Sequence, residues 1–321
     1  MFNRRFLRIK VFQALFSFKM EESDRRSVHE LNLLKTPLKT YDLYIFLLSF
    51  AHEFKYSLLN EVHSQNAKHF PDFKIINPLN ALIQNQAITK LEEDQSLKEK
   101  YKSIPAKWSN KDDLYKNVFT FIRSNGVLDE YMKIKEPTLI DDRKLLVDIY
   151  EILILDSEEF NNFIEEYFMN WEDDQTIVAS ALIKTIKTIK EKSVIHVIEK
   201  KEINEKEDTE FMKDLFRQTI ENDNSLEKLI SENTKNWESE RIALSDMILM
   251  KMALCEIICF PQIPVKVSIN EYLELAKQYS TPNSHGFING ILDKIQITLR
   301  EENKIVKTGR GLVENVNEIS S

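Results

Sequence analysis

The chain has 321 residues, of which 42% are hydrophobic and 30% charged, with a formal net charge of −8; this is a globular composition with room for two or three domains. Five glycines are too few for the turns of a doubly wound sheet or a phosphate-cradling loop, and the acidic balance leaves nucleic-acid binding to local basic patches. No stretch approaches about 18 uncharged apolar residues, so no membrane span is expected. Cys255 and Cys259, the only cysteines, lie four apart on an apolar helix face and read as reduced core residues, which fits a cytoplasmic setting. No metal site or cofactor is expected.

The first twenty residues hold Arg4, Arg5, Arg8, Lys10 and Lys19 and no acid. This basic start leads into amphipathic sequence and is not read as a secretory signal. Leu7, Val11, Ala14, Leu15 and Phe18 form one stripe of a helix that Asn3 is placed to cap, with Phe12 and Phe16 widening it. The three arginines then fall in or beside the first turns, against the helix dipole by roughly a few tenths of a kcal/mol. An external anion would relieve that opposition; a solvated polar face is the plainer alternative.

Helical periodicity continues through 38–61. Pro71 and Pro78 are expected to bracket a loop before a helix at 79–91, and 92–110 reads as a connection. Further helices are expected at 114–123 and 143–155, then from Ser157 with Phe160, Phe163, Ile164 and Tyr167, and at 176–198. The mixed charges of 200–210 read as a linker or helix end. A shift of 66 residues aligns 146–183 with the following stretch without a gap, pairing Asp148 with Asp214, Tyr150 with Phe216, Phe160 with Leu226, Ile164 with Ile230 and Trp171 with Trp237. Two tandem helical units follow from that alignment, with chance similarity as the alternative.

The last region is the most specific. A helix starting near Asn236 or Ser239 is stopped by Pro261 and Pro264. A second covers 268–279, burying Ile269, Tyr272, Leu273 and Ala276, with Glu271, Glu274 and Lys277 outward. After a turn at 281–285, Phe287, Ile288, Ile291, Leu292 and Ile295 close the bundle, and Gly290 reads as a packing device. An enzyme is not expected. The six histidines are scattered, no nucleophile elbow or phosphate loop is present, and the pairs Asp112–Asp113, Asp141–Asp142 and Asp173–Asp174 suit helix starts better than a two-metal site.

Residues 211–295 resemble the helical domain of the NusB family of transcription antitermination factors. Leu215, Phe216, Ile248, Leu249, Lys251 and Glu256 carry the resemblance, followed by Ile263 to Val267, Ile269, Asn270, Glu271 and Glu274 to Lys277. It continues through Ser284, Phe287, Asn289, Gly290, Leu292, Asp293 and Lys294. Arg4, Arg5, Arg8, Gln13, Ala14, Leu15 and Phe16 resemble the family's arginine-rich first helix. The resemblance implies an all-α protein of helical bundles: an N-terminal region over 1–110, an additional helical region over 111–205, a NusB-like domain over 206–300 and a polar flexible tail over 301–321.

It also implies a function. The factor would bind boxA-like single-stranded RNA with ribosomal protein S10 and act on the transcription elongation complex, with Arg4, Arg5, Arg8, Lys266, Asn283, His285 and Phe287 as RNA contacts. Glu240 and Asp246 match positions near the family's S10-binding face, where acids would complement a basic protein. The residue types suit single-stranded RNA, which needs cations for its backbone and planar groups for unstacked bases. Phe287 is otherwise an ordinary core residue. The alternative function is a helical protein–protein adaptor without RNA binding. Family members are commonly less than half this length, which makes the middle of the chain an insertion.

Overall fold

Of the described residues 79% are helical, in 15 α-helices and 3-10 turns, and none lies in a strand. The computed structural model describes residues 3–21, 25–108, 111–192, 195–200, 206–234 and 242–316. Two compact units divide it: Pro37–Asn204 forms one, and Phe2–Thr36 with Glu205–Ser321 forms the other. Among the described residues no helix is long and apolar enough to cross a membrane.

Two prolines lie inside helices, one of them Pro78, which was expected to close a loop. Helix α2, Arg26–Asn66, passes through Pro37. Proline has no N–H to offer the carbonyl four residues back, here that of Leu33, and the Thr36 hydroxyl donates to that oxygen at 2.7 Å instead. Helix α3, Phe73–Ile83, likewise contains Pro78 and starts at Asp72, whose side chain accepts from the Lys74 N–H. The helix expected at 79–91 is therefore two helices, α3 and α4 (Gln86–Glu93), the second capped by Asn85. The expected connection after it holds a short helix, α5, Gln95–Lys102.

In the unit Pro37–Asn204, the core is built on aromatic rings from α2. Phe46 stacks on Trp108 at 4.2 Å, and the Trp108 indole donates to the Phe46 carbonyl at 2.8 Å. Phe50 packs against Phe54, Tyr150 and Phe160. Helices α6 (Asp112–Ser124) and α7 (Val127–Tyr131) lead to α8 (Leu139–Asp156), α9 (Glu158–Tyr167) and α10 (Trp171–Lys187). Helix α10 ends well before 198, and the three aspartate pairs all fall in first turns, of α6, α8 and α10, where carboxylates stabilise the dipole.

The other unit contains α1 (Arg4–Met20), the start of α2, α11 (Lys206–Glu221), α12 (Asp223–Asn233), α13 (Leu244–Cys259), α14 (Val265–Tyr279) and α15 (Ser284–Glu301), then a 3-10 helix, Gly309–Val316. Helix α13 is central: Ile248, Leu249, Met250, Met252, Ala253, Leu254, Cys255 and Ile257 are all buried, and each large side chain contributes about 1.5–3 kcal/mol. The 66-residue register is visible in the helices, since α8 and α9 shifted by 66 fall on α11 and α12. Tyr150 and Phe216, Phe160 and Leu226, Ile164 and Ile230 are buried in corresponding places. Trp237 and the expected start of α13 near Asn236 or Ser239 lie outside the described residues. Gly290 has open space around it, so it is not a point of close helix approach.

Candidate nucleic-acid interface

Asn3 caps α1 by accepting from the Phe6 N–H at 2.8 Å, which fixes where the first-turn arginines point. The Arg4 guanidinium reaches Glu207 and lies 3.8 Å from Asp208, stacked over the Phe211 ring at 4.6 Å. Arg5 makes two bonds to Glu271, both 2.9 Å. Arg8 makes two to Glu256, at 2.8 and 2.7 Å. The counter-charge for this end of the helix is thus internal, where the sequence had suggested an external anion.

The three arginines differ in access. Arg8 and Glu256 side chains are 3% and 0% exposed, whereas those of Arg4 and Arg5 are 37% and 45% exposed. Glu256 also accepts from the Ser268 hydroxyl at 2.7 Å and the Tyr272 hydroxyl at 3.1 Å, so its buried charge is fully engaged. Burial opposes the Arg8 charge, but the bonds to Glu256 outweigh it and hold the guanidinium above the ordinary arginine range. Glu271 holds Arg5 above that range too. Burial, reinforced by the neighbouring Glu256 charge, pushes the Tyr272 phenol far up.

Arg4 and Arg5 open onto a cleft of about 1570 Å³ between the start of α1, α11 and the Phe260–Pro264 elbow. Phe211, Phe260 and Gln262 supply walls, and Arg310 joins the arginines at its rim. Farther along α1, Lys19 and the buried Lys251 share Asp223, at 2.8 Å each, and Lys251 also reaches Glu227 at 2.6 Å. Arg26 pairs with Glu221.

The other expected contacts lie on α14 and α15. Lys266 is exposed in the first turn of α14; at its far end Asn283 is exposed, while His285 and Phe287 are half-buried. Asp246 is buried beneath that turn, accepting from the Ser280 hydroxyl and, at 2.7 Å, from that of Ser284. It presents no free carboxylate outward and holds the turn that carries Asn283, His285 and Phe287. Glu240 lies outside the described residues. Glu274 sits between the two groups of contacts: its carboxyl is held low by the Lys277 hydrogen bond, with Arg5 and His285 adding to the effect.

Sequence reasoning missed the carboxylates that occupy the arginines. Glu256 and Glu271 stood among the residues of the resemblance, but Glu271 had read as a solvating residue and nothing tied either to α1, about 250 residues away. Arg310 had no signal, because it falls in a segment whose composition reads as a tail.

Comparison with known proteins places this unit. Residues 172–296 match the family described as NusB family. The chain is 41% identical over 104 residues to the transcription antitermination protein NusB of Salinibacter ruber, covering 32% of this chain and 65% of that protein. It is 38% identical over 105 residues to that of Chloroherpeton thalassium, covering 33% and 50%, and 41% identical over 90 residues to that of Finegoldia magna, covering 28% and 66%. The chain therefore spans half to two thirds of the length of these relatives. No solved structure matches it. The match starts in α10 and ends in α15, with α1 packed in the same unit as its last five helices, and residues 172–296 of this chain are a NusB family domain.

Proposed function

We propose that the protein is a transcription antitermination factor that binds boxA-like single-stranded RNA together with ribosomal protein S10 and acts on the transcription elongation complex. The carrying observation is that the arginine-bearing start of α1 packs in one unit with helices α11 to α15 of the NusB family domain. This sets Arg4 and Arg5 on the rim of a cleft large enough for a nucleotide segment. In this reading Arg4 and Arg5 exchange their carboxylate partners for RNA phosphates. Arg8 acts as a positioning residue through Glu256. Lys266, Asn283, His285 and Phe287 extend the surface along α14, and the buried Asp246 acts by ordering their turn, which leaves Glu240 as the acid proposed for the S10 side.

Titration of boxA-like and scrambled RNAs, with and without S10, at two salt concentrations tests this, using the wild type and an Arg4→Ala/Arg5→Ala variant. Sequence preference, loss on charge removal and weakening with salt are expected; phosphate contact alone gives only the last two. Absence of specific binding with S10 present overturns the proposal. One observation favours the second reading, an adaptor without RNA binding: Arg4, Arg5 and Arg8 all have carboxylates of their own. An adaptor predicts partner binding that is indifferent to RNA.

A further inference from the structure

The segment after α15 returns to the cleft and adds a cation to it. Helix α15 ends at Glu301, the chain turns through Asn303 with φ 55°, and the Lys304 N–H donates to the Leu299 carbonyl at 2.9 Å. It then docks on the elbow: the Lys307 ammonium donates to the Phe260 carbonyl and the Thr308 N–H to the Pro261 carbonyl, both at 3.0 Å. The Phe260 carbonyl also accepts from the Ile263 N–H at 3.2 Å, so this segment supplies its second donor while Pro264, four residues on, supplies none.

Two glycines make this docking possible. Gly309 adopts φ 54°, in the left-handed region, and Gly311 approaches so closely that an added Cβ would lie 2.1 Å from the Pro261 oxygen. Residues 304–311 are thus a strap fitted to the elbow. Between the glycines stands Arg310, exposed, on the same cleft as Arg4 and Arg5. Among the described residues Arg310 has no carboxylate partner, unlike those two.

We propose that Arg310, presented by this strap, is a further phosphate contact for single-stranded RNA in the cleft; the inference rests on the RNA reading above. A phosphate reaching Arg4 or Arg5 must displace Glu207 or Glu271. Arg310 requires no displacement, so it receives the backbone first and holds it beside the paired arginines. It lies beyond the residues matched by the family, so this contact belongs to this chain's own C-terminal segment.

The test is fluorescence anisotropy with a short fluorescein-labelled boxA-like single-stranded RNA over a salt series. It compares the wild type, Arg310→Ala, Arg310→Lys, Gly311→Ala and, as a control on α15 outside the cleft, Arg300→Ala. Losing one phosphate contact lowers the slope of log affinity against log salt by about 0.7, or roughly fivefold in affinity at about 0.1 M salt. Arg310→Ala and Gly311→Ala should each show that loss, the latter by undocking the strap; Arg310→Lys and Arg300→Ala should keep the wild-type slope. Wild-type binding with Arg310→Ala equal or tighter overturns this inference alone, and tighter binding would make the strap a mask. No RNA binding by the wild type removes the RNA reading and this inference with it.

Discussion

Arg8 and Glu256 form a two-bond ion pair closed off from solvent, joining α1 to α13 across 248 residues of sequence. Its environment makes it a structural joint: Ser268 and Tyr272 complete the carboxylate from α14, so three helices meet on one charge. Removing one member of such a pair leaves the other buried without compensation. Arg8→Ala is therefore expected to destabilise the NusB-like unit by about 3–5 kcal/mol, while the replacement of both charges, Arg8→Met with Glu256→Gln, recovers a large part. Urea unfolding of the three proteins checks this. Equal stability of the wild type and Arg8→Ala would rule out the joint.

Arg5 and Glu271 differ in being open to solvent, so their pair contributes little to stability, about 0–1 kcal/mol. In the proposed RNA-binding role it matters for binding, because Glu271 would compete with phosphate for Arg5. Glu271→Gln should tighten single-stranded RNA binding by several fold, on the order of one phosphate contact, with unchanged melting. Weaker binding by this variant would show that Glu271 assists and does not mask.

What the sequence disclosed follows from which interactions are local. The Asn3 cap, the Ser157 cap that accepts from the Phe160 N–H, and the Phe260–Pro264 elbow all depend on neighbours within a few residues, and they are legible. Pro78 misled because a local rule was overridden: it stands inside α3, as Pro37 stands inside α2, where Thr36 supplies the hydrogen bond that Pro37 cannot. The candidate site was half legible for the same reason. Residue types marked Arg4 and Arg5 as cationic contacts, but the carboxylates that engage them come from α11 and α14, and such pairings have no local signature. The strap depends on Gly311 meeting Pro261 across 50 positions of sequence, which composition alone reads as a tail.

The Asp223 carboxylate predicts an acid-side loss of stability. Partial burial works to raise its pKa, but hydrogen bonds from Lys19 and Lys251 prevail and hold it below the ordinary aspartate value. A depressed folded value means that the contribution is fully present above the unfolded aspartate pKa of about 3.9 and is lost as pH falls from there through the lower folded value. Urea midpoints measured between about pH 3 and 7 should fall on the acid side, and Asp223→Asn should flatten that fall while lowering the midpoint near neutrality. An unchanged acid limb would exclude Asp223 as its source.

Cys259 offers a readout of strap docking. A hydrogen bond from the Cys255 thiol brings its pKa down to about 7, with burial opposing and the Lys307 charge assisting. The Lys307 charge also works against the negative end of the dipole of α13, which Cys259 ends and which disfavours a thiolate. Cys255 is itself buried and pushed up by its bond to Cys259 and by burial, so it should stay inert while Cys259 reacts. Iodoacetamide labelling followed by mass spectrometry should show Cys259 alkylation rising around neutral pH. Lys307→Met removes the charge, and Gly311→Ala undocks the segment that carries it, so both should move that rise to higher pH. The same labelling profile in Gly311→Ala and the wild type would mean that residues 304–311 do not stand on the elbow.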